Sequence, residues 1–206
     1  MIKKLIHLLK IKDLSINLNY WKNPDKNNEP IKYLDNDLTI QRTNYLLDIF
    51  NKYFVNKNIN ILELGCNVGR NLNALYNQGY NMLTGIEINS NAIEIMKKHY
   101  YECYKNSIII NEPIENYIKN FKNNEFDVVF TMAVLEHIHK RSEWIFDEIM
   151  RITKYIITIE DEKSLSWKHF PRRYDKIFNK FTQIYSEDCS FIIGFNDGFM
   201  LRVFKK

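Results

Sequence analysis

The sequence predicts an α/β fold, a mostly parallel sheet with helices on both faces. Three observations carry that expectation. From residue 59 onward, short apolar runs alternate regularly with helical stretches. One of these runs enters a glycine-punctuated turn and then a helix, Ile61-Leu62-Glu63-Leu64-Gly65-Cys66-Asn67-Val68-Gly69-Arg70-Asn71-Leu72. An isolated acid, Glu87, closes the next run eighteen residues beyond Gly69. Such a strand, loop and helix followed by a second-strand acid is the form of a nucleoside-binding βαβ unit. Gly65 permits the tight turn, Gly69 permits close backbone approach, and the acid accepts ribose hydroxyls.

In chain order, residues 2–11 combine Ile2, Leu5, Ile6, Leu8 and Leu9 with lysines and predict a short amphipathic helix. Residues 17–37 mix Asn, Asp and Pro with Tyr20, Trp21 and Tyr33, which reads as an ordered loop because aromatic rings need a covering surface. The 3.6-residue spacing of Ile40, Tyr45, Leu46, Ile49, Phe50 and Phe54 predicts a helix over 38–54. Strands are expected at 59–64, 82–87, 106–110, 126–131 and 155–160, and helices at 69–78, 90–99, 113–120 and 140–152. The continuously apolar Ile59–Leu64, Ile108–Ile110 and Val128–Phe130 suit strands buried on both faces. Past the fifth strand a polar and aromatic segment, 161–180, precedes two further strands near 181–187 and 199–205, with a turn at Asn196-Asp197-Gly198. The chain therefore divides into an N-terminal helical extension or lid, 1–55, and one domain, 56–206.

Composition narrows the function classes. With 206 residues, 45% apolar, and 13 Phe, 13 Tyr and 3 Trp, the chain has ample core material for one domain. A net charge of +4 arises from 29 basic and 25 acidic residues without a single-sign block, which points away from a nucleic-acid footprint. Three cysteines without CxxC spacing indicate neither a disulfide framework nor a zinc site. Glu136, His137 and His139, with Asp161, offer ligand types but lack the i, i+4 helical spacing that sets two ligands on one face, so no metal is expected. Residues 1–11 lack a cleavage signal and no run reaches the ~18 apolar residues a membrane span requires, so the expected setting is cytoplasmic, with no membrane partner.

Glu63 to Gly69, Glu87, Phe126-Asp127-Val128-Val129-Phe130 and Val134-Leu135-Glu136-His137 together resemble the class I S-adenosylmethionine-dependent methyltransferases over about 59–160. The loop differs from the G-x-G-x-x-G of dinucleotide enzymes, because Gly65 and Gly69 stand four apart and Asn67 occupies the intervening position. Many members of the family carry glycine where Asn67 stands; asparagine also visits the left-handed region, so the turn remains feasible. The resemblance implies a Rossmann-like sheet of seven strands with the last antiparallel. It implies S-adenosylmethionine as cofactor, S-adenosylhomocysteine as product and a small-molecule methyl acceptor.

On that resemblance, Glu63, Gly65, Asn67 and Gly69 line the methionine moiety and ribose, with Cys66 and Ile88 beside them and Glu87 on the ribose hydroxyls. Glu112 and Ile114 cover adenine. Thr131 and Met132 lie near the sulfonium, and Arg42 faces the cofactor carboxylate. Cys66 reads as a small loop residue rather than a nucleophile. For the acceptor, His137 is the candidate base, with Glu160 or Asp161 as alternatives. Tyr20 and Trp21 are candidate lid residues. His139, Trp167, His169, Arg172 and Arg173 are candidate contacts to an anionic or sugar-like acceptor. The expected reaction is O-methylation of a small polar acceptor, such as a sugar or a capsule or surface-polysaccharide precursor. Two alternatives stay open: N-methylation of an amine or base, and a non-catalytic cofactor-binding subunit. Either a monomer or a homodimer fits.

Overall fold

A computed structural model describes residues 12–206. The helix expected at 2–11 lies outside the described residues. The first described helix, α1 (Leu14–Lys22), occupies much of what the sequence reads as a loop. Its N-terminus is capped by Asp13, whose carboxylate accepts the Ser15 N–H at 3.0 Å. Helix α2 (Asp37–Tyr53) follows, opened by an Asn36–Thr39 capping box. Its apolar face, Leu46, Ile49 and Phe50, is buried against the sheet. Full burial of each such side chain stabilises by roughly 1.5–3 kcal/mol, enough to fix the helix and the Arg42 and Thr43 it carries.

Seven strands then form one sheet in the order β3-β2-β1-β4-β5-β7-β6. They are β1 (Ile61–Leu64), β2 (Leu83–Ile86), β3 (Ile108–Ile110), β4 (Phe126–Met132), β5 (Thr153–Asp161), β6 (Thr182–Asp188) and β7 (Phe199–Lys205). The first five are parallel, and β7 inserts antiparallel between β5 and β6. This is the expected Rossmann-like plan, including the antiparallel last strand. Alternation along each strand sends Ile61 and Leu62 to opposite sides, and so builds two cores. One holds Phe50, Leu72, Leu75, Met96, Val128 and Phe130. The other holds Leu64, Ile118, Val129, Ile145, Ile149 and Phe178.

The remaining helices are α3 (Arg70–Asn77), α4 (Ser90–His99), α5 (Tyr101–Lys105), α6 (Ile114–Tyr117), α7 (Ile145–Ile152) and α8 (Tyr174–Ile177). Two expected helices are shorter than their patterns. The stretch 113–120 is one α-turn followed by the 3-10 turn Ile118–Asn120. In 140–152, a 3-10 turn at Lys140–Ser142 comes first, because the His139 ring accepts the Arg141 N–H at 3.1 Å and starts a separate turn. The 161–180 segment is a connector apart from α8, and it crosses the carboxyl ends of β4 and β5. Since β1 pairs with both β2 and β4, the chain reverses its strand order there, where open α/β sheets gather ligands.

Candidate active site

The turn after β1 is built from three residues with left-handed backbone: Gly65 (φ 69°), Asn67 (φ 49°) and Gly69 (φ 72°). At Gly65 a Cβ would stand 2.6 Å from a Val134 methyl, so a side chain there would collide with the turn after β4. At Gly69 it would stand 2.4 Å from Met96 Sδ. The two glycines thus serve different ends. Gly65 lines a cavity, whereas Gly69 lets α3 pack closely on α4 and contributes no wall to that cavity. Asn67 adopts the left-handed conformation the turn needs, and its side-chain oxygen accepts the Val68 N–H at 2.8 Å.

The cavity, about 310 Å³, lies over the carboxyl ends of β1, β2 and β4. Glu87 ends its β2 side. One carboxylate oxygen accepts the Asn67 N–H at 2.8 Å and the other the Asn89 N–H at 2.7 Å. Burial pushes its carboxyl up to about 7 against those donors. Glu63 is 3% exposed. Its Oε1 accepts from Asn71 at 2.8 Å while its buried Oε2 has no partner, and burial raises it to about 8. Behind it runs a buried relay that sequence reasoning missed. Arg70 donates to the Thr43 hydroxyl at 2.7 Å and to the Tyr33 carbonyl at 3.1 Å, and Thr43 donates to Asn71 at 3.0 Å. The signal was present, since Arg70 and Asn71 directly follow the glycine loop.

Arg42, Cys66, Ile88, Glu112, Ile114 and Met132 also reach the cavity wall. Arg42 lies over the Phe195 ring at 4.9 Å, and its buried Nε is unpartnered. The Cys66 thiol is buried and pushed well above its ordinary value by that burial, so it is no nucleophile. Thr131 is fully buried and lies outside the wall.

At the opposite end the turn after β4 is drawn inward. Ala133 has φ 56°, a conformation that few non-glycine residues hold. Glu160 accounts for it. Its Oε2 accepts the Val134 N–H at 2.9 Å and the Glu136 N–H at 3.2 Å, which orders this turn from beneath. Glu160 is therefore a fully buried organising carboxylate and does not face the cavity. Asp161 is likewise turned away, accepting the Lys163 and Ser164 N–H groups at 2.8 and 2.9 Å. Neither is a base for a molecule in this cavity.

His137 does face it. Its Nδ1 lies 2.8 Å from the Lys168 carbonyl, which can only accept, so Nδ1 carries the proton and Nε2 offers its lone pair. Burial, and then neighbouring His169, pull its imidazole down to about 3, so it is neutral at physiological pH. Glu136 Oε1 stands 3.5 Å from His137 Nε2 and 3.7 Å from His169 Nε2. Burial, and then the nearby Glu160 carboxylate, raise the Glu136 carboxyl.

Among the acceptor candidates, Trp21 and His169 line the cavity and Tyr20, His139, Trp167, Arg172 and Arg173 do not. Trp21 packs on His137 with ring centroids 4.1 Å apart and the planes tilted by 38°. Tyr20 and Trp167 form a wall behind it, edge to face at 5.0 Å. His139 is buried, its Nε2 3.2 Å from the Lys12 carbonyl, which ties the start of α1 to this loop. Arg172 spends its guanidinium on the carbonyls of Leu135, Ile138 and Phe170, bracketing the two acceptor-side loops together. Arg173 is solvent-facing and paired with Asp175. Asn17, one turn before Trp21 on α1, also reaches the cavity, and both present buried N–H donors without partners.

Comparison with known proteins bears on the domain and on the fold. A methyltransferase-domain family model matches residues 62–155. No curated protein matches the chain in sequence. Among solved structures, magnesium protoporphyrin IX methyltransferase from Synechocystis PCC 6803 with bound SAM is similar at TM-score 0.72 and 13% identity, covering 93% of this chain and 96% of that one. The PH0226 protein from Pyrococcus horikoshii OT3 is similar at TM-score 0.67 and 15% identity, covering 91% and 98%. The cyclase SpnF shares the fold at TM-score 0.63 and 11% identity, covering 80% and 81%.

Proposed function

We infer that this chain is a class I S-adenosylmethionine-dependent methyltransferase, and that it methylates an oxygen of a small polar acceptor. The observation that carries the reading is a single cavity with two chemically distinct ends. One end has Gly65, Asn67 and Glu87; the other has Glu136, His137 and His169. The cofactor end fits a nucleoside linked to an amino acid. Glu87 keeps free lone pairs for two hydroxyls, the buried Glu63 Oε2 lacks a donor, and Arg42 Nε lacks an acceptor. The Gly65 turn lets backbone approach closely. When bound, S-adenosylmethionine supplies a methyl group on a sulfonium, which leaves as a neutral thioether when an acceptor oxygen attacks it.

The chain's own residues account for acceptor handling. Trp21 and Asn17 present unpartnered N–H donors, and Trp21 offers a ring face to a sugar-like molecule. His137 Nε2, neutral and facing the cavity, can accept a hydrogen bond from the attacking hydroxyl and so aim its oxygen. Its weakened basicity suits it to orient that group more than to deprotonate it beforehand. A sugar or surface-polysaccharide precursor is the acceptor class this combination favours. The similar cyclase is a reminder that one fold hosts several chemistries, so the test must follow the reaction.

Calorimetric titration with S-adenosylmethionine is expected to give one site, weakened at least about tenfold in Glu87→Ala through loss of two charge-assisted hydrogen bonds. Release of S-adenosylhomocysteine in the presence of hydroxylated acceptors is expected from wild type and reduced in His137→Ala. Undiminished cofactor affinity in Glu87→Ala would remove the reading.

A further inference from the structure

We propose that Glu136, His137 and His169 form a binding site for a first-row divalent transition cation at the acceptor end of the cavity. The three residues come from two segments, the turn after β4 and the connector after β5. Their ligand atoms lie within 4.8 Å of one another, the one such cluster of three among the described residues.

The first argument is which atoms converge. Glu136 Oε1 lies 3.5 Å from His137 Nε2 and 3.7 Å from His169 Nε2. With Nδ1 of His137 committed to the Lys168 carbonyl, its Nε2 presents a lone pair toward a carboxylate oxygen. Two such acceptors face to face are reconciled either by a proton on Glu136 or by a cation between them, and the separations suit a cation. Ligand bonds of about 2.0–2.2 Å to imidazole and carboxylate set neighbouring ligand atoms roughly 3.0–3.4 Å apart. Two of the three separations are therefore within a few tenths of an ångström of a coordination shell.

The second argument is that each ligand is oriented by a partner behind it, as metal ligands are. The His137 Nδ1–H donates to the Lys168 carbonyl at 2.8 Å. The other Glu136 oxygen accepts the Asp161 N–H at 2.5 Å. His169 Nδ1 lies 2.7 Å from the Ser166 hydroxyl, whose oxygen can accept Nδ1–H and turn Nε2 inward. The ammonium of the adjoining Lys168 is drawn off to the Tyr20 hydroxyl at 2.7 Å. Trp21 covers the His137 ring on one side, leaving the cavity side for further ligands.

Two imidazoles and one carboxylate on one side of an ion favour a transition cation over magnesium or calcium, which prefer all-oxygen shells. The open positions face the space assigned above to the acceptor. A hydroxyl bound there would ionise more readily, with the ion sharing the role given to His137 alone. That consequence rests on the methyltransferase reading. Cation binding itself does not.

Full-length protein, stripped with chelator and then freed of it, is titrated with Co²⁺ and followed by its visible d–d absorption, with Zn²⁺ as competitor. One equivalent of Co²⁺ displaced by Zn²⁺ is expected. Affinity should fall at least about tenfold in His169→Ala and in Glu136→Gln, and stay unchanged in His99→Ala at the exposed end of α4. Circular dichroism checks that His169→Ala folds. If it does not, Ser166→Ala, which removes only the group behind His169, decides by the same tenfold loss. No saturable Co²⁺ binding, or equal binding by wild type and these variants, overturns the proposal. Titration of the metal-free protein with S-adenosylmethionine separates the two ideas. Cofactor binding without cation binding defeats only the metal site, and the converse defeats only the methyltransferase reading.

Discussion

Glu63 and Glu87 are carboxyls whose surroundings make them hold protons that the unfolded chain would release. Burial lifts Glu63 to about 8 and Glu87 to about 7, from an ordinary value of 4.5. Between pH 4.5 and those values the folded state binds more protons than the unfolded one, so stability falls as pH rises through that window. The cofactor end is expected to behave oppositely. Ligand hydroxyls and cationic groups prefer the ionised carboxylates, so affinity should rise toward alkaline pH with proton release. Urea unfolding at about pH 6 and about pH 8.5 should show a decline that Glu63→Gln reduces by ~1–3 kcal/mol. Equal slopes in the two proteins would show that Glu63 does not carry the proton. At this scale the sequence was informative where one residue had one job. Asn67 is left-handed, as its place between two glycines required. Gly69 was harder, because its partner, Met96, is twenty-seven residues away and no local pattern announces a packing contact.

Elements were legible where their stability is local or periodic, and illegible where it is supplied from elsewhere. Helix α2 shows its 3.6-residue stripe and its cap in the sequence, and it forms within one residue of the expected span. Helix α1 shows neither a stripe nor strong propensity. Its one buried residue is Asn17, and it is held by contacts distant in sequence. These are the Asp13–Arg141 ion pair at 2.9 Å, the Lys12 carbonyl on His139, and Trp21 packed on the His137 ring. Such a helix forms because the acceptor loop is there to receive it, which explains why Tyr20 and Trp21 were read as loop aromatics. The same placement gives α1 an optical reporter. Of the three tryptophans only Trp21 lines the cavity. Titration with S-adenosylhomocysteine is therefore expected to change tryptophan emission in wild type and to leave it nearly constant in Trp21→Phe. A full-sized change in that variant would mean that Trp144 or Trp167 senses the ligand and α1 does not close on it.

Across the whole molecule, the far edge of the sheet is connected to the acceptor segment through one buried ion pair. Arg202 on β7 donates to both Glu162 oxygens at 2.7 and 2.9 Å, and its remaining nitrogen donates to Gln183 on β6 at 2.9 Å. The Arg202 and Glu162 side chains are 8% and 6% exposed. Glu162 follows β5 directly and begins the connector that carries Lys168 and His169, so the pair fixes where that connector leaves the sheet. A buried pair of this kind is weak evidence for net stability, because desolvation offsets much of the attraction, but breaking it from one side strands a charge. Arg202→Met alone is thus expected to cost ~3–5 kcal/mol, and the double variant Arg202→Met with Glu162→Leu to recover a large part of that loss. Denaturant unfolding of the four proteins measures the coupling directly. Cofactor affinity should be nearly unchanged in the folded double variant, since Gly65 and Glu87 sit on β1 and β2, strands that the pair does not touch. Co²⁺ affinity should fall in it, because His169 hangs from the connector that Glu162 anchors. Additive single losses would make the pair energetically idle, and undiminished Co²⁺ affinity would mean that Arg172, which ties Phe170 to the turn after β4, positions His169 without help from the sheet edge.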